Sequence, residues 1–552
     1  MTNESVIVDS RGQPLTPMPP KARGNATTLT EGMAGQSVFP YEASSWATQE
    51  MGNWLPWIRS PDAEINQFRD RMVARHRDLV RNDGLAAGGI TRILDNTVGA
   101  ALRLSANPDY RALAALTGNL KFDAVWAEEF RRAAEARWRG YADDIGRYGD
   151  VSRRLTVAQQ LRLALRHKLI DGDSLVVAYW MPERVGYGRA TYATSFMVVD
   201  PDRLSNPFQM VDSKYMRGGV EIDEHGVPMA YHIRKAHQND WYNSVESMDW
   251  ERVEREDEDG WHRVIHDFEQ DRAGQNRGVG VFTPVLARFK MLARYYGVEL
   301  QAATIAATFG TYVTSPYDPA QVAEALDNTD ELSAYQGMRA DWHEERPAML
   351  SGARIPTLAP GESITSVGAA HPHNGFGEFA SEMSRTFAAA AGISAEQITQ
   401  DWSKTNYSSA RAALLESWKT LTRRNTEFKI GTATPVYACW LHEAMDNGDL
   451  PLPNGAPDFL EARTAYSRCD WLGVARGWVD PVKEKQGAIL GMDGGLSTLK
   501  RECAEQGLDY EEVIQQRAVE VAQFREAGLP PPSWFGNDAT NASTPEEAQQ
   551  AQ

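Results

Sequence analysis

No proline follows Pro284 until Pro316, and between them Val285, Phe289, Leu292, Tyr296 and Leu300 recur at helical spacing. This pattern predicts one helix over residues 284–309, about 39 Å long at ~1.5 Å per residue, with a single apolar stripe. A helix of that length leaves most of its surface in water unless neighbours cover it. Gly297, Ala302, Ala303, Ala306 and Ala307 keep its profile slim, which suits close packing between identical helices. The chain around it must therefore provide a scaffold, and its 552 residues exceed one ordinary compact domain.

Upstream, residues 1–60 are rich in Pro, Gly, Ser and Thr without a sustained period and read as a flexible arm. From Pro61, the residues Ile65, Phe68, Met72 and Leu79 predict an amphipathic helix, stopped at Asn82-Asp83-Gly84 and followed by an apolar segment over 90–98. Residues 126–141 and 156–169 read as helices, Asp171-Gly172-Asp173 as a turn, and 174–180, 196–199, 220–222 and 229–233 as strands. The acidic stretch 251–259 reads as a solvated loop. Residues 312–365 read as irregular, 378–391 as a helix stopped by Gly392, and 399–407 as a short polar interruption. A further helix starts at Ser408 with Leu414, Trp418 and Leu421 on one face, and Pro435 should kink or end it. Helices are expected at 481–489, 496–506 and 510–527, and disorder beyond 531. The fold class is α+β and mainly helical.

Composition narrows the function. Hydrophobic residues make up 42% and charged residues 24%, as in a folded soluble protein. No window approaches the roughly 18 apolar residues of a membrane span, and the first twenty residues lack an apolar signal core, so no membrane partner is expected. Cys439, Cys469 and Cys503 are odd in number and lack metal-ligand spacing; they read as buried or half-buried thiols. The net charge of −18 is opposite to that of a protein that grips nucleic acid statically.

Catalytic motifs are missing. Gly-Lys does not occur, which excludes a standard phosphate-binding loop. Arg277-Gly278-Val279-Gly280-Val281-Phe282 lacks a third glycine and reads as a flexible lead-in to the long helix. His343-Glu344-Glu345-Arg346 has no second histidine on its helical face, and His371-Pro372-His373 is too short to set metal geometry. His262 and His266, in a β-rich stretch, would lie at least ~13 Å apart. The acid pairs Asp171/Asp173 and Glu254/Glu256 could serve acid–base chemistry but are explained more simply by turns and loops. No catalytic, cofactor or metal residues are assigned, and an unrecognised hydrolase remains the weakest alternative.

Several segments, in order, resemble the lambda family of phage portal proteins. They are Arg75-His76-Arg77-Asp78-Leu79-Val80-Arg81-Asn82-Asp83, Ile93-Leu94-Asp95-Asn96-Thr97-Val98-Gly99, Asp171-Gly172-Asp173 and Val199-Asp200-Pro201-Asp202-Arg203-Leu204. Gly219-Val220-Glu221-Ile222-Asp223 through Ile233 follows, then His266-Asp267-Phe268 with Arg272, Gly274-Gln275 and Arg277-Gly278-Val279. Asn406-Tyr407-Ser408-Ser409-Ala410-Arg411-Ala412-Ala413-Leu414-Leu415 is the most specific, and Asp480-Pro481 with Lys483-Glu484 completes the set.

The resemblance implies a portal-type subunit in a ring, usually of twelve, at one capsid vertex. It divides the chain into an arm (1–60), an α+β wing (61–281), a first stem helix (282–309), a clip (310–377) and a second stem helix (378–393). A tunnel loop (394–407), a long kinked helix (408–448), the wing return and crown (449–530) and a disordered tail (531–552) follow. Implied partners are double-stranded DNA passing through the channel without sequence preference, the terminase large subunit, the major capsid protein and head-completion or adaptor proteins. The implied location is the virion, with assembly in the host cytoplasm. Another virion component, a head–tail connector or capsid subunit, is the main alternative.

The negative charge fits that resemblance. DNA carries one negative charge per about 1.7 Å of axis, so a basic bore would hold it, whereas an acidic ring lets it slide. Screening confines the effect to groups within about 8–10 Å. In the tunnel loop Asp401, Trp402, Ser403, Lys404, Thr405, Asn406 and Tyr407 are the expected light contacts to DNA, as a mobile sleeve or valve.

Overall fold

The computed structural model describes residues 42–44, 51, 53–258, 260–308, 312–314, 341, 347–350, 353–356, 363–365, 375–403, 405–473 and 481–530. The chain divides into two units, residues 1–59 and 60–552. The expected arm lies mostly, and the expected tail wholly, outside the described residues, as do His343-Glu344-Glu345-Arg346 and His371-Pro372-His373.

Helix α1 (Pro61–Asn82) starts where Ser60 accepts the Ala63 amide and a proline occupies the first turn. It ends at Asp83, whose side chain caps α2 (Gly84–Thr97) in turn. The buried face of α1 is not the predicted one. Arg69, Val73, His76 and Val80 face inward, while Phe68 is 45% exposed. Two of those four side chains are ionisable, so a search for apolar periodicity could not see them.

Strand β1 (Arg103–Ala106), α3 (Tyr110–Thr117), α4 (Ala124–Ala142) and α5 (Val157–Asp171) follow, each helix capped by an Asp or Thr side chain. Then come β2 (Asp173–Trp180), β3 (Thr194–Val199), β4 (Met216–Arg217), β5 (Val220–Ile222), β6 (Pro228–Arg234), β7 (Trp250–Glu254) and β8 (Val264–Phe268). They form two antiparallel sheets, ordered β3-β2-β8 and β4-β5-β6-β7. Leu175, Val177, Val199, Leu204, Tyr231, Ile233 and Val253 pack into a small core shared by these sheets.

The acidic stretch expected to be a loop contributes β7. His232 pairs with Arg252 in register, and Arg252 bonds Glu221 of β5 at 2.8 Å, so cross-strand charge pairing replaces apolar alternation there.

A 3-10 turn (Thr283–Val285) leads into α6 (Leu286–Thr308), which is 23 residues long. Phe289 and Leu292 are buried as predicted, but the stripe runs out after Leu292: Tyr296 is 43% and Leu300 69% exposed. The segment expected to be irregular contains two strand pairs, β9 (Tyr312–Thr314) with β12 (Ser363–Thr365) and β10 (Pro347–Leu350) with β11 (Ala353–Pro356).

Helix α7 (Phe376–Ala391) zips onto α6. Phe289 stacks on Phe387 at 3.7 Å, and Tyr295 meets Phe376 and Phe379 at 5.4 and 5.3 Å. Gly392 stops α7 in a left-handed conformation (φ 68°). Helices α8 (Ala395–Thr399) and α9 (Tyr407–Phe428) follow.

Pro435 does not break the next helix. A π-helical turn (Lys429–Ala433) joins α9 to α10 (Thr434–Asp446), with Pro435 in the first turn of α10, where the widened ladder absorbs its missing amide. Strand β13 (Cys469–Leu472), after the single turn α11 (Arg463–Tyr466), pairs with β1.

The main core gathers Trp126, Phe130, Trp138, Tyr141, Tyr192, Tyr437, Trp440, Tyr466 and Trp471, with Trp138 and Trp440 edge-to-face at 5.2 Å. Cys439 is buried and Cys469 half-buried; burial pushes their thiols up to about 12 and about 11. Helices α12 (Pro481–Asp493), α13 (Leu499–Glu505) and α14 (Tyr510–Glu526) complete the described chain. None of the described helices is long and apolar enough to cross a membrane.

Candidate functional site

The loop between α7 and α9 is shorter than the segment 394–407 expected from sequence. Ser394 and Gln397 form a reciprocal capping box for α8, and Gln397 and Ile398 are buried. Ile398 reaches α2, where a Cβ on Gly89 would sit 3.3 Å from it. The first half of the segment is therefore an anchor.

Only residues beyond the left-handed Gln400 (φ 58°) project as a loop. Asp401 accepts the Ser403 amide at 3.0 Å and hydroxyl at 2.6 Å, and the Thr405 amide donates to the Trp402 carbonyl at 3.2 Å. Asn406 caps α9 by accepting the Ser409 amide at 2.8 Å. Asp401, Trp402, Ser403 and Asn406 are exposed and Thr405 is half-buried. Trp402, 38% exposed, is not tucked into the core. Lys404 and the Tyr407 side chain lie outside the described residues. The loop presents an indole face and small hydrogen-bonding groups to solvent on a base pinned at both ends.

Sequence reasoning missed a second site, at the root of α6. Asp173, the first residue of β2, is fully buried. It accepts bonds from Arg69 (2.9 Å), Arg277 (2.5 Å) and the Gly278 amide (2.5 Å), with His266 3.8 Å away. Burial alone would raise its pKa, but the Arg277 and Arg69 guanidinium groups hold it far below the usual carboxylate range. Arg277, 2% exposed, spends its other N–H groups on the carbonyls of Leu204 (2.7 Å), Gly218 (2.5 Å) and Pro201 (2.9 Å).

The glycine-rich lead-in is thus clamped, not flexible. A Cβ on Gly278 would lie 2.0 Å from the Gly172 carbonyl oxygen, and one on Gly280 would lie 2.2 Å from that of Ile170. The Val281 amide donates to Leu169 at 2.9 Å. Glycine lets two backbone segments touch here.

Around this centre lies an outer ring of charge. Arg77 donates to Asp171 at 2.7 Å, bonds Asp200 and lies 3.5 Å from Asp202. His167 meets Asp171 at 2.6 Å, and His237 meets Asp202 at 3.3 Å. Two groups here have metal-like spacing, His167/Asp171/Asp200 and Asp200/Asp202/His237. The Arg77 guanidinium already supplies the cation between those carboxylates. Burial tends to raise Asp171, but its bonds to His167 and Arg77 hold it below the ordinary value.

The expectation that Asp171 and Asp173 are turn acids is therefore corrected: they are 2% and 0% exposed and neutralised by three arginines from two distant segments, α1 and the lead-in to α6. Of the histidine pair, His262 meets Glu256 at 3.2 Å and His266 belongs to the knot. The available signal was co-occurrence. The segments around Arg77, Asp171-Gly172-Asp173, Asp200-Pro201-Asp202, Gly219 and Arg277-Gly278, spread over some two hundred residues of chain, meet at this one place.

His76 sits beside the knot, buried, with its ring 5.7 Å from Phe282 and neither ring nitrogen hydrogen-bonded among the described residues. Burial lowers its pKa to about 4, against the weaker opposing pull of Asp171. A base whose folded pKa is depressed stabilises the fold above its unfolded pKa, near 6.5, and that contribution fades as pH falls toward 4. Unfolding measured from pH 7 to 4 should show a loss on the order of 2–3 kcal/mol from this group. His76→Phe should flatten the dependence, and an unchanged profile would remove His76 as the cause.

Comparison with known proteins meets this geometry. The family described as phage portal protein, lambda family, matches residues 47–425. Portal protein B of Escherichia phage lambda is 33% identical over 492 residues, covering 88% of this chain and 90% of that protein. The portal protein of Escherichia phage N15 is 32% identical over the same shares. A chain of the native gene transfer agent virion is 15% identical over 81% of this chain and 99% of that one, with a TM-score of 0.36. The chain belongs to the lambda family of phage portal proteins.

Proposed function

We propose that copies of this chain close into a ring at one capsid vertex and line a bore through which double-stranded DNA is packaged and ejected. Membership of the portal family over most of the chain's length carries this reading. In it, residues 61–281 form the wing, α6 and α7 the stem, 310–377 the clip and 449–530 the wing return and crown. The terminase large subunit, the major capsid protein and head-completion proteins dock on the ring, which assembles in the host cytoplasm and stays in the virion.

Two features support it. Helix α6 is apolar on two sides: Phe289 and Leu292 are covered by α7, while Met291 and Val298 are 69% and 53% exposed and available to a neighbour. The net charge of −18 suits a passage that must not bind its cargo. The protein then supplies a path, not a reaction.

The projecting loop from Asp401 to Tyr407 is the sleeve that touches DNA lightly, with Trp402 and the hydroxyl and amide groups making contacts indifferent to sequence. Electron micrographs of the purified protein test the ring: annular particles with a hole of DNA width are expected, and monomers or closed shells would sink it. Deleting residues 403–406 tests the loop. Rings should still form because α8 and α9 are anchored independently, but packaged genomes should be poorly retained. Normal packaging and retention would end the sleeve reading.

A further inference from the structure

The last three helices are attached to the rest of the chain in an unusual way. Among the described side chains of residues 481–530, Cys503 and Val521 are the only buried apolar ones, while Val482, Leu490 and Leu496 are 65%, 69% and 83% exposed. A cavity of about 850 Å³, lined by Trp418, Thr422, Lys429, Asp470, Lys500 and Glu505 among others, separates α13 from α9 and β13. A second, of about 330 Å³, lies between Arg411 of α9 and the helices α12 and α13. Apolar packing does not hold these helices in place.

Charge does. Glu512 of α14 meets Arg139 of α4 at 2.9 Å and Arg103 of β1 at 3.5 Å. Arg131 of α4 bonds Glu511 and lies 3.8 Å from Asp509, and Arg132 reaches Glu511 at 3.5 Å. Arg131 is 6% exposed and also carries Glu128 (2.8 Å) and Glu135 (3.1 Å) of its own helix. One buried guanidinium is thus shared by two carboxylates of the body and two of the C-terminal segment.

We infer that residues 481–530 form a movable module held by an ionic latch, Arg103, Arg131, Arg132 and Arg139 against Asp509, Glu511 and Glu512, which opens when charge is screened or unbalanced. Ion pairs at a solvated boundary weaken with salt, whereas apolar packing does not. The latch also responds to pH. Glu135 faces Arg131 and Asp509 and accepts the Ala106 amide; burial first, then the Asp509 charge, against the pull of Arg131, push it up to about 7. An acid whose pKa is raised on docking favours the docked state when protonated. The Glu135 contribution therefore strengthens docking as pH falls through about 7 and weakens it as pH rises, until stronger acid neutralises the latch carboxylates themselves. The latch acts within one chain, whether or not copies close into a ring.

Helices as short as α13 and α14 fray when undocked, so amide exchange reads the latch. Hydrogen–deuterium exchange of the full-length protein should show residues 499–526 exchanging about tenfold faster in ~1 M NaCl than at low salt, with residues 434–446 unchanged. After correction for the intrinsic rate, the same peptides should exchange faster at pH 8 than at pH 6. Arg131→Ala should open the latch but risks the fold of α4. Arg139 and Glu512 are exposed, so R139E should speed exchange about threefold without that risk, and E512R in the same chain should restore it. Exchange indifferent to salt and to R139E, or a double variant no slower than R139E, would overturn the latch.

Discussion

Asp173→Ala is expected to cost about 3–5 kcal/mol and to leave little folded protein, because it strands two buried guanidinium groups. Arg277 and Arg69 are 2% and 3% exposed and have no water to turn to. The loss should exceed that from removing Arg77, which pairs with Asp171 in the outer ring and whose side chain is 28% exposed. Asp173→Asn keeps the shape and one acceptor oxygen but removes the charge, so it should fall between wild type and Ala. Thermal unfolding of the three variants measures the series. Equal stability of Asp173→Ala and wild type would mean that the knot is not a structural keystone.

Gly278→Ala is the second large effect. Its methyl would meet a backbone carbonyl at 2.0 Å, and backbone cannot rotate away as a side chain does. The lead-in segment must lift off Gly172, which breaks the Gly278 amide bond to Asp173 and drags Arg277 from its three carbonyls. A loss of about 3 kcal/mol or more is expected, at the upper end of overpacking costs. Gly297→Ala, made in the exposed middle of α6 where a methyl would touch nothing within 4 Å, should instead stabilise by about 0.5–1 kcal/mol. The opposite signs of one chemical change, read as shifts in melting temperature, test the close approach itself. If both glycines tolerated alanine equally, the clamp would be wrong.

Both predictions bear on function through position. The knot fixes the start of α6 against α1, α5 and the two sheets, so any force on the long helix is delivered to a buried, charge-paired root. In the portal reading, that root is where stem meets wing. A rigid joint there would, in that reading, let the proposed wing hold station while the proposed sleeve at Asp401–Tyr407 adjusts to DNA.

Much of this was legible in the residues themselves. Helix stops at Asn82-Asp83-Gly84 and Gly392, the strand after Asp171-Gly172, the zipper position of Phe289 and the family resemblance all follow from local signals: a capping oxygen, a left-handed glycine, a period of 3.6 or 2. Such signals act between neighbours in sequence, and sequence displays them directly. The α6 stripe and the chain's acidity belong to the same class, since periodicity and charge are sums over the chain.

Tertiary structure alone decided what distant residues do to one another. Nothing near Arg69, Asp173 or Arg277 announces that they will share a buried carboxylate, because Coulomb attraction in a dry interior depends on distance in space. The buried face of α1, the charge-paired strand β7, the π-helical turn that accommodates Pro435 and the ionic seating of α14 all escaped for that reason. Each depends on a partner that only the folded chain brings within bonding distance.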